Sequence, residues 1–210
     1  ARSFCAMKHV GLNVAADPIF TASYTGVNAG MIVAVADDPG MHSSQNEQDS
    51  RHYAIAAKLP MVEPADSKEC KDYIEKAYQL SEQFDTPVLY RLCTRVSHSQ
   101  SLVEPKDRME PELKEYKKDI AKYVMMPAMA KRKHPIVEKR QSDLAELAET
   151  TDLNQVIMGD TKIGIITAGI SYQYAREVFG DKASYLKLGL INPLPVNLIK
   201  DFAAKVDKLY

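Results

Sequence analysis

Cysteine is scarce in this chain: three occur in 210 residues, Cys5, Cys70 and Cys93, far apart and odd in number. Without a Cys-x-x-Cys pair the sequence carries no recognisable zinc or iron–sulfur ligand set, and isolated thiols suit a reducing compartment. The five histidines are scattered too, so no metal site is expected in these residues. Long apolar runs are also missing. None approaches the roughly 20 residues of a membrane span, and no signal-peptide pattern opens the chain, which points to the cytoplasm and to no membrane partner. Nor is there an excess of one charge: 27 basic residues face 28 acidic ones. A nucleic-acid partner held chiefly by electrostatics is therefore not expected, and the run Lys131-Arg132-Lys133-His134 is too short to alter that. Absent as well are a Gly-x-Ser-x-Gly elbow, a His-Glu-x-x-His helix, a Walker loop and a three-glycine dinucleotide fingerprint, so the familiar hydrolase, zinc-peptidase and nucleotide readings lose support.

What is present is an ordinary globular composition, 45% hydrophobic and 26% charged, long enough for one large or two small domains. Both ends read as cut. The chain opens without a methionine, on a strand already under way, and closes on Leu209-Tyr210 directly after a helical pattern. An internal piece of a longer polypeptide is expected.

The first hundred residues alternate strand and helix signals, the pattern of a parallel α/β sheet. Strands are expected at Ser3 to Met7, Met31 to Ala36, Met61 to Glu63 and Val88 to Cys93. Between them, Gly11 to Thr25 reads as a small-residue helix with Pro18 opening a second segment. Asp66 can cap a helix whose apolar face is Cys70, Tyr73, Ile74, Ala77, Tyr78 and Phe84, and Pro87 stops it. Residues 100 to 134 carry prolines at 105, 111 and 127 in a lysine- and glutamate-rich stretch, which reads as a linker or crossing arm. A helix from His134-Pro135 to Thr150, packed through Ile136, Leu144, Leu147 and Ala148, opens a second α/β unit. Its strands are expected at Lys162 to Thr167 and Tyr185 to Leu188, its helices at Tyr172 to Phe179 and Val196 to Val206. The expected division is 1–100, 101–134 and 135–210.

The densest polar stretch is Asp37-Asp38-Pro39-Gly40-Met41-His42-Ser43-Ser44-Gln45-Asn46-Glu47-Gln48-Asp49, directly after the apolar run Met31 to Ala36. Ligands of open α/β sheets sit at such strand ends. Ser44 followed three residues later by Glu47 matches a capping box and predicts a helix from Gln45. His42 and Ser43 would then precede a helix N-terminus, which favours an anionic group. The alternative is a surface turn with an incidental histidine. Lys8, His9, Gly11 and Asn13 form a similar polar group at the first strand's end, and Thr167-Ala168-Gly169-Ile170-Ser171 reads as a tight strand-to-helix turn.

Two of these stretches, Met7-Lys8-His9-Val10-Gly11-Leu12-Asn13-Val14-Ala15-Ala16-Asp17-Pro18 and the segment 37–49, closely resemble the alpha subunits of indolepyruvate ferredoxin oxidoreductases. The match extends to Phe84-Asp85-Thr86-Pro87-Val88-Leu89, to Arg95-Val96-Ser97-His98-Ser99 and to the block from Gly164 through Pro195. The resemblance implies a thiamine-diphosphate-dependent 2-oxoacid:ferredoxin oxidoreductase that converts aryl 2-oxoacids to acyl-CoA and carbon dioxide. Residues 1–100 would be the later part of a pyrimidine-binding domain, and 135–210 an incomplete domain similar to the transketolase C-terminal one. Pro39-Gly40-Met41-His42-Ser43 is also similar to the proline-x-histidine loop that faces the cofactor in transketolase-like enzymes. The resemblance thus implies a catalytic role for His42, substrate contacts from His9, Asn13, Ser43 and Gln45, and cofactor contacts from Lys8 and Gly11. It further implies magnesium and 4Fe-4S clusters held outside this chain, coenzyme A as co-substrate, ferredoxin as acceptor and a second (beta) subunit as partner. This chain alone is then expected to be inactive. A pyruvate or branched-chain oxidoreductase, or a noncatalytic interaction module, remain as alternatives.

Overall fold

The computed structural model describes residues 1–108, 110 and 114–210. Pro111, one of the three linker prolines, lies outside the described residues. The first part runs β1 (Ser3–Lys8), α1 (His9–Val14), α2 (Ala16–Thr25), β2 (Met31–Asp37), α3 (Ser50–Ala57), β3 (Met61–Val62), α4 (Ser67–Phe84), β4 (Val88–Cys93) and α5 (Thr94–His98). Then come α6 (Ile120–Tyr123), α7 (Pro127–Ala148), β5 (Gln155–Ile157), β6 (Gly164–Ala168), α8 (Ile170–Phe179), β7 (Ser184–Leu188), β8 (Leu190–Asn192) and α9 (Val196–Ala203).

The expected α/β class holds. One sheet has the order β1-β2-β4-β3-β8 and a smaller one the order β5-β7-β6. The pairs β1·β2, β2·β4 and β3·β4 are all parallel, so Lys8, Asp37, Val62 and Cys93 end their strands at one carboxyl edge. An apolar run such as β2 needs cover on both faces. It has it: Ile32 and Ala34 pack with Tyr73, Ala77 and Leu80 of α4, while Val33 and Val35 pack with Leu12, Ile19 and Ala54. Asp66 caps α4 as its spacing predicts, accepting from the Glu69 amide at 2.8 Å.

Several expectations are corrected. Helix α7 starts at Pro127, and Pro135 lies inside it. A first-turn proline needs no amide partner, so Pro127 initiates the helix that the prolines were expected to delay. Its packed side is Val137, Arg140, Leu144 and Ala148, whereas Ile136 faces solvent. Thr94 to His98, directly after β4, forms the short helix α5. Helix α8 begins two residues earlier than expected and α9 ends at Ala203.

Two three-residue strands escaped the pattern. β5 pairs antiparallel with β7, and β8 pairs antiparallel with β3, bringing the second half of the chain onto the first sheet. Ala148, Leu153 and Leu190 share one core with β2, β4 and α4. Across the same junction, Lys187 pairs with Glu69, and Gln173 donates to Asp66 at 3.0 Å. No described helix is long and apolar enough to cross a membrane.

Candidate functional site

Where β2 ends, Asp38 gathers the following loop around its carboxylate. Oδ2 accepts from Ser44 Oγ at 2.5 Å and the Ser43 amide at 2.8 Å; Oδ1 accepts from Thr94 Oγ1 at 2.7 Å and the His42 amide at 3.2 Å. The Ser44 hydroxyl above all, then the Ser43 amide and the Thr94 hydroxyl, hold the Asp38 carboxyl well below the usual carboxylate range. Lys8 Nζ, from the end of β1, donates to the Ser43 carbonyl at 2.8 Å and its hydroxyl at 3.3 Å, and stands 3.9 Å from Asp38. The turn itself uses left-handed backbone at Gly40 and Met41, with φ of 79° and 55°. Glycine adopts that region without strain, and the Gly40 amide is then free to donate to Glu47 Oε2 at 2.9 Å.

This arrangement overturns the capping box. Ser44 and Glu47 spend their side chains on Asp38 and Gly40, and no helix starts at Gln45. Helix α3 begins at Ser50 behind Asp49, whose carboxylate accepts from the Arg51 amide at 3.0 Å. His42 and Ser43 therefore do not sit at a helix N-terminus. They ride on a loop fixed from below by Asp38.

The structure joins Lys8, Ser43 and the His42 backbone in this cluster, and leaves the His42 imidazole exposed. Gln45 and Asn13 are exposed, and neither side chain makes a hydrogen bond among the described residues. His9 and Asn13, four apart on α1, differ sharply: His9 is buried, with neither ring nitrogen hydrogen-bonded. Gly11 lies one turn after Met7, whose Cβ would be 3.0 Å from any Cβ placed there. Asp38 and Thr94, the groups that organise the loop, were not singled out from sequence. Two consecutive aspartates closing an apolar strand were the available signal.

A second polar cluster lies deeper at the same edge. Arg91, in the middle of β4, is buried between two carboxylates, pairing with Asp37 Oδ2 at 2.7 Å and with Glu63 Oε1. Asp37 Oδ2 also receives the Ser50 amide at 3.1 Å and hydroxyl at 2.8 Å, tying α3 to the sheet. Among the described residues, Asp37 Oδ1 and Glu63 Oε2 have no hydrogen-bond partner. Burial raises the Glu63 pKa against the pull of Arg91 and Arg51. For Asp49 burial also acts upward, but the bonds from Arg51 outweigh it and bring the carboxyl to about 2. Beside Glu63 opens a cleft of about 760 Å³ between α3 and the smaller sheet, reaching Ile55, Ala168, Leu188 and Leu194. Among the described residues no group of three or more His, Cys, Asp or Glu could hold a metal ion.

The loop can present one imidazole, held by its backbone, at the carboxyl edge of a parallel sheet. An exposed histidine so placed can hydrogen-bond an anionic substrate or move a proton.

No protein-family model matches the chain. Among curated proteins, indolepyruvate oxidoreductase subunit IorA of Methanothermobacter thermautotrophicus is 42% identical over 99% of this chain and 35% of its own length. The same subunit of Archaeoglobus fulgidus is 40% identical over 99% of this chain and 34% of its own length. That of Pyrococcus horikoshii is 41% identical over 96% and 33%. The chain thus spans 33% to 35% of the length of these relatives. Among solved structures, 2-oxoglutarate:ferredoxin oxidoreductase from Magnetococcus marinus superposes with a TM-score of 0.68 at 16% identity, covering 99% of this chain and 45% of that one. A split-gene transketolase gives 0.53 at 16%, covering 98% and 55%. These two likenesses concern the fold.

Proposed function

Along the segment it shares with them, the chain belongs to the family of indolepyruvate oxidoreductase IorA subunits, and from that premise we propose that it forms part of a thiamine-diphosphate-dependent 2-oxoacid:ferredoxin oxidoreductase. The reaction is oxidative decarboxylation of indolepyruvate or a related aryl 2-oxoacid to an acyl-CoA, with electrons passed to ferredoxin. A second subunit and a cytoplasmic location belong to the same reading. The observation that carries it is the exposed His42 imidazole on a loop that Asp38, Thr94 and Lys8 fix at the carboxyl edge.

In this reading His42 meets the 2-oxoacid, donating a hydrogen bond to its carboxylate or carbonyl oxygen or moving a proton there. Ser43, Gln45 and Asn13 border the substrate side. Lys8 holds the loop down and, with Gly11, borders the cofactor. His9 is assigned to the substrate side, its buried ring holding two nitrogens without partners among the described residues. Thiamine diphosphate supplies, when bound, an electron sink for decarboxylation. Magnesium and 4Fe-4S ligands are assigned to parts of the protein other than these residues. The division into 1–100, a crossing arm of 101–134 and 135–210 is part of the proposal.

The test uses the full-length subunit with its partner subunit, measuring CoA-dependent ferredoxin reduction with indolepyruvate, pyruvate and a branched-chain oxoacid. Indolepyruvate is expected to give the highest kcat/KM. A preference for pyruvate or the branched-chain acid would move the enzyme within its superfamily. No reduction with any oxoacid would leave the noncatalytic module.

A further inference from the structure

One cleft among the described residues is not lined by His42, yet it has the features of a ligand site. Its volume of about 760 Å³ falls within the roughly 300–1,000 Å³ of small-molecule pockets. Carboxyl ends of strands from both sheets meet there. Glu63 follows β3, Ala168 ends β6 and Leu188 ends β7, and all three line the cleft. Open α/β sheets bind their ligands at this edge. Its walls are mostly apolar, and Ile55, Leu194 and Val196 remain 61%, 50% and 52% exposed. Large side chains left uncovered around one cleft mark a surface that gains from an occupant.

The charge of that occupant follows from the ion pairs. At the mouth, Asp49 and Arg51 satisfy each other, with Nη2 and Oδ2 at 2.6 Å, and contribute no net charge. Deeper in, two carboxylates, Asp37 and Glu63, share one guanidinium, Arg91. When both are ionised, one negative charge is left over in a buried cluster, where its cost is high unless a cation comes near. Only Glu63 of the three lines the cleft, its side chain is 6% exposed, and its Oε2 has no hydrogen-bond partner. The Glu63 carboxylate lies close against Gly169, where an added Cβ would stand 2.5 Å from Oε1.

We propose that this cleft binds a hydrophobic amine, its apolar body against Ile55, Leu188 and Leu194 and its ammonium beside Glu63. The site is separate from the His42 loop and does not depend on which oxoacid the enzyme oxidises. The ammonium supplies the missing charge. A hydrophobic carboxylate of the same size is excluded by repulsion from the same pair of acids.

The experiment is isothermal titration of the full-length subunit with naphthylethylamine, and with naphthylacetate as the anionic control. Saturable one-to-one binding of the amine is expected, with no binding of the acid. Ile55→Trp, which fills the cleft from an exposed helix position without touching the ion cluster, should weaken the amine at least tenfold. Glu63→Gln, which removes the charge and keeps the side chain's length, should do the same. Should Glu63→Gln fail to fold, Ile55→Trp alone decides. Absence of saturable amine binding, equal binding of both probes, or wild-type affinity in the folded variants overturns the proposal.

Discussion

Two acidic centres stand at one sheet edge and are solved in opposite ways. Around Asp38 the carboxylate meets four short-range donors, from Ser44, Ser43, Thr94 and His42, and becomes a stronger acid. Around Arg91 two carboxylates compete for one cation, two oxygens go unpartnered, and burial makes Glu63 a weaker acid. The first arrangement builds a defined loop and leaves His42 at the surface. The second ties three strands and a helix together and keeps a charge imbalance beside a cleft. A difference in local donors, with the same residue chemistry, separates a positioning device from a buried ionic knot.

The largest effect that tests this contrast is expected at Arg91. Arg91→Met leaves Asp37 and Glu63 buried without their shared cation, and removal of one partner from such a cluster costs about 3–5 kcal/mol. Chemical denaturation should show a matching fall in the unfolding midpoint. A change under about 1 kcal/mol would mean that water already solvates the pair.

Gly169→Ala comes next. The position has φ of 54° and the added Cβ would press on the Glu63 carboxylate, so a loss of about 1–3 kcal/mol is expected from strain. Thermal unfolding of the variant beside wild type reads it directly.

The pH dependence separates the two centres by sign. The unfolded chain protonates aspartate near about pH 3.9, whereas folded Asp38 resists protonation. Its contribution is therefore present above that pH and is lost as the pH falls through the lower folded value. Glu63 acts the other way, because its folded pKa is raised. Its contribution is lost as the pH rises from the ordinary carboxylate range through the folded value. From about pH 2 to 7 the fall of the denaturation midpoint should be shallower on the acid side in Asp38→Asn, and shallower on the upper side in Glu63→Gln. Reversed signs would contradict both assignments.

The smallest effect on stability is expected at His42. Its ring is exposed and carries no bond that holds the loop, so His42→Ala should shift stability by no more than about 0.5 kcal/mol. A larger loss would mean that the His42 ring itself packs against the loop.

Much of this fold is legible in the sequence where the signal is local. The apolar run of β2, the strand β4 between Pro87 and Thr94, and Asp66 three residues before Glu69 each declare themselves within a short window. Errors arise where a residue's partner lies elsewhere in space. Ser44 and Glu47 have capping spacing, yet Asp38 and the Gly40 amide reach them first. Strands β5 and β8 are three residues each, too short to show alternation. In α7 the buried set includes Arg140, which bonds the Ser23 carbonyl at 2.7 Å, so an apolar count selects Ile136 instead. The candidate site was located by its polar density, and its organiser was not. Arg91 inside an otherwise apolar strand was the strongest unused signal, since a charge buried in a parallel sheet requires partners.

In the proposed function, His42 acts on the 2-oxoacid from a loop whose shape Asp38 maintains. The most direct measurement is kcat for oxoacid-dependent ferredoxin reduction by the full-length enzyme with its partner subunit, wild type against His42→Ala, alongside an unfolding curve for each. A fall of about a hundredfold or more in kcat is expected, the scale of losing a positioned acid or base, with an unchanged unfolding midpoint. A kcat within twofold of wild type would contradict it.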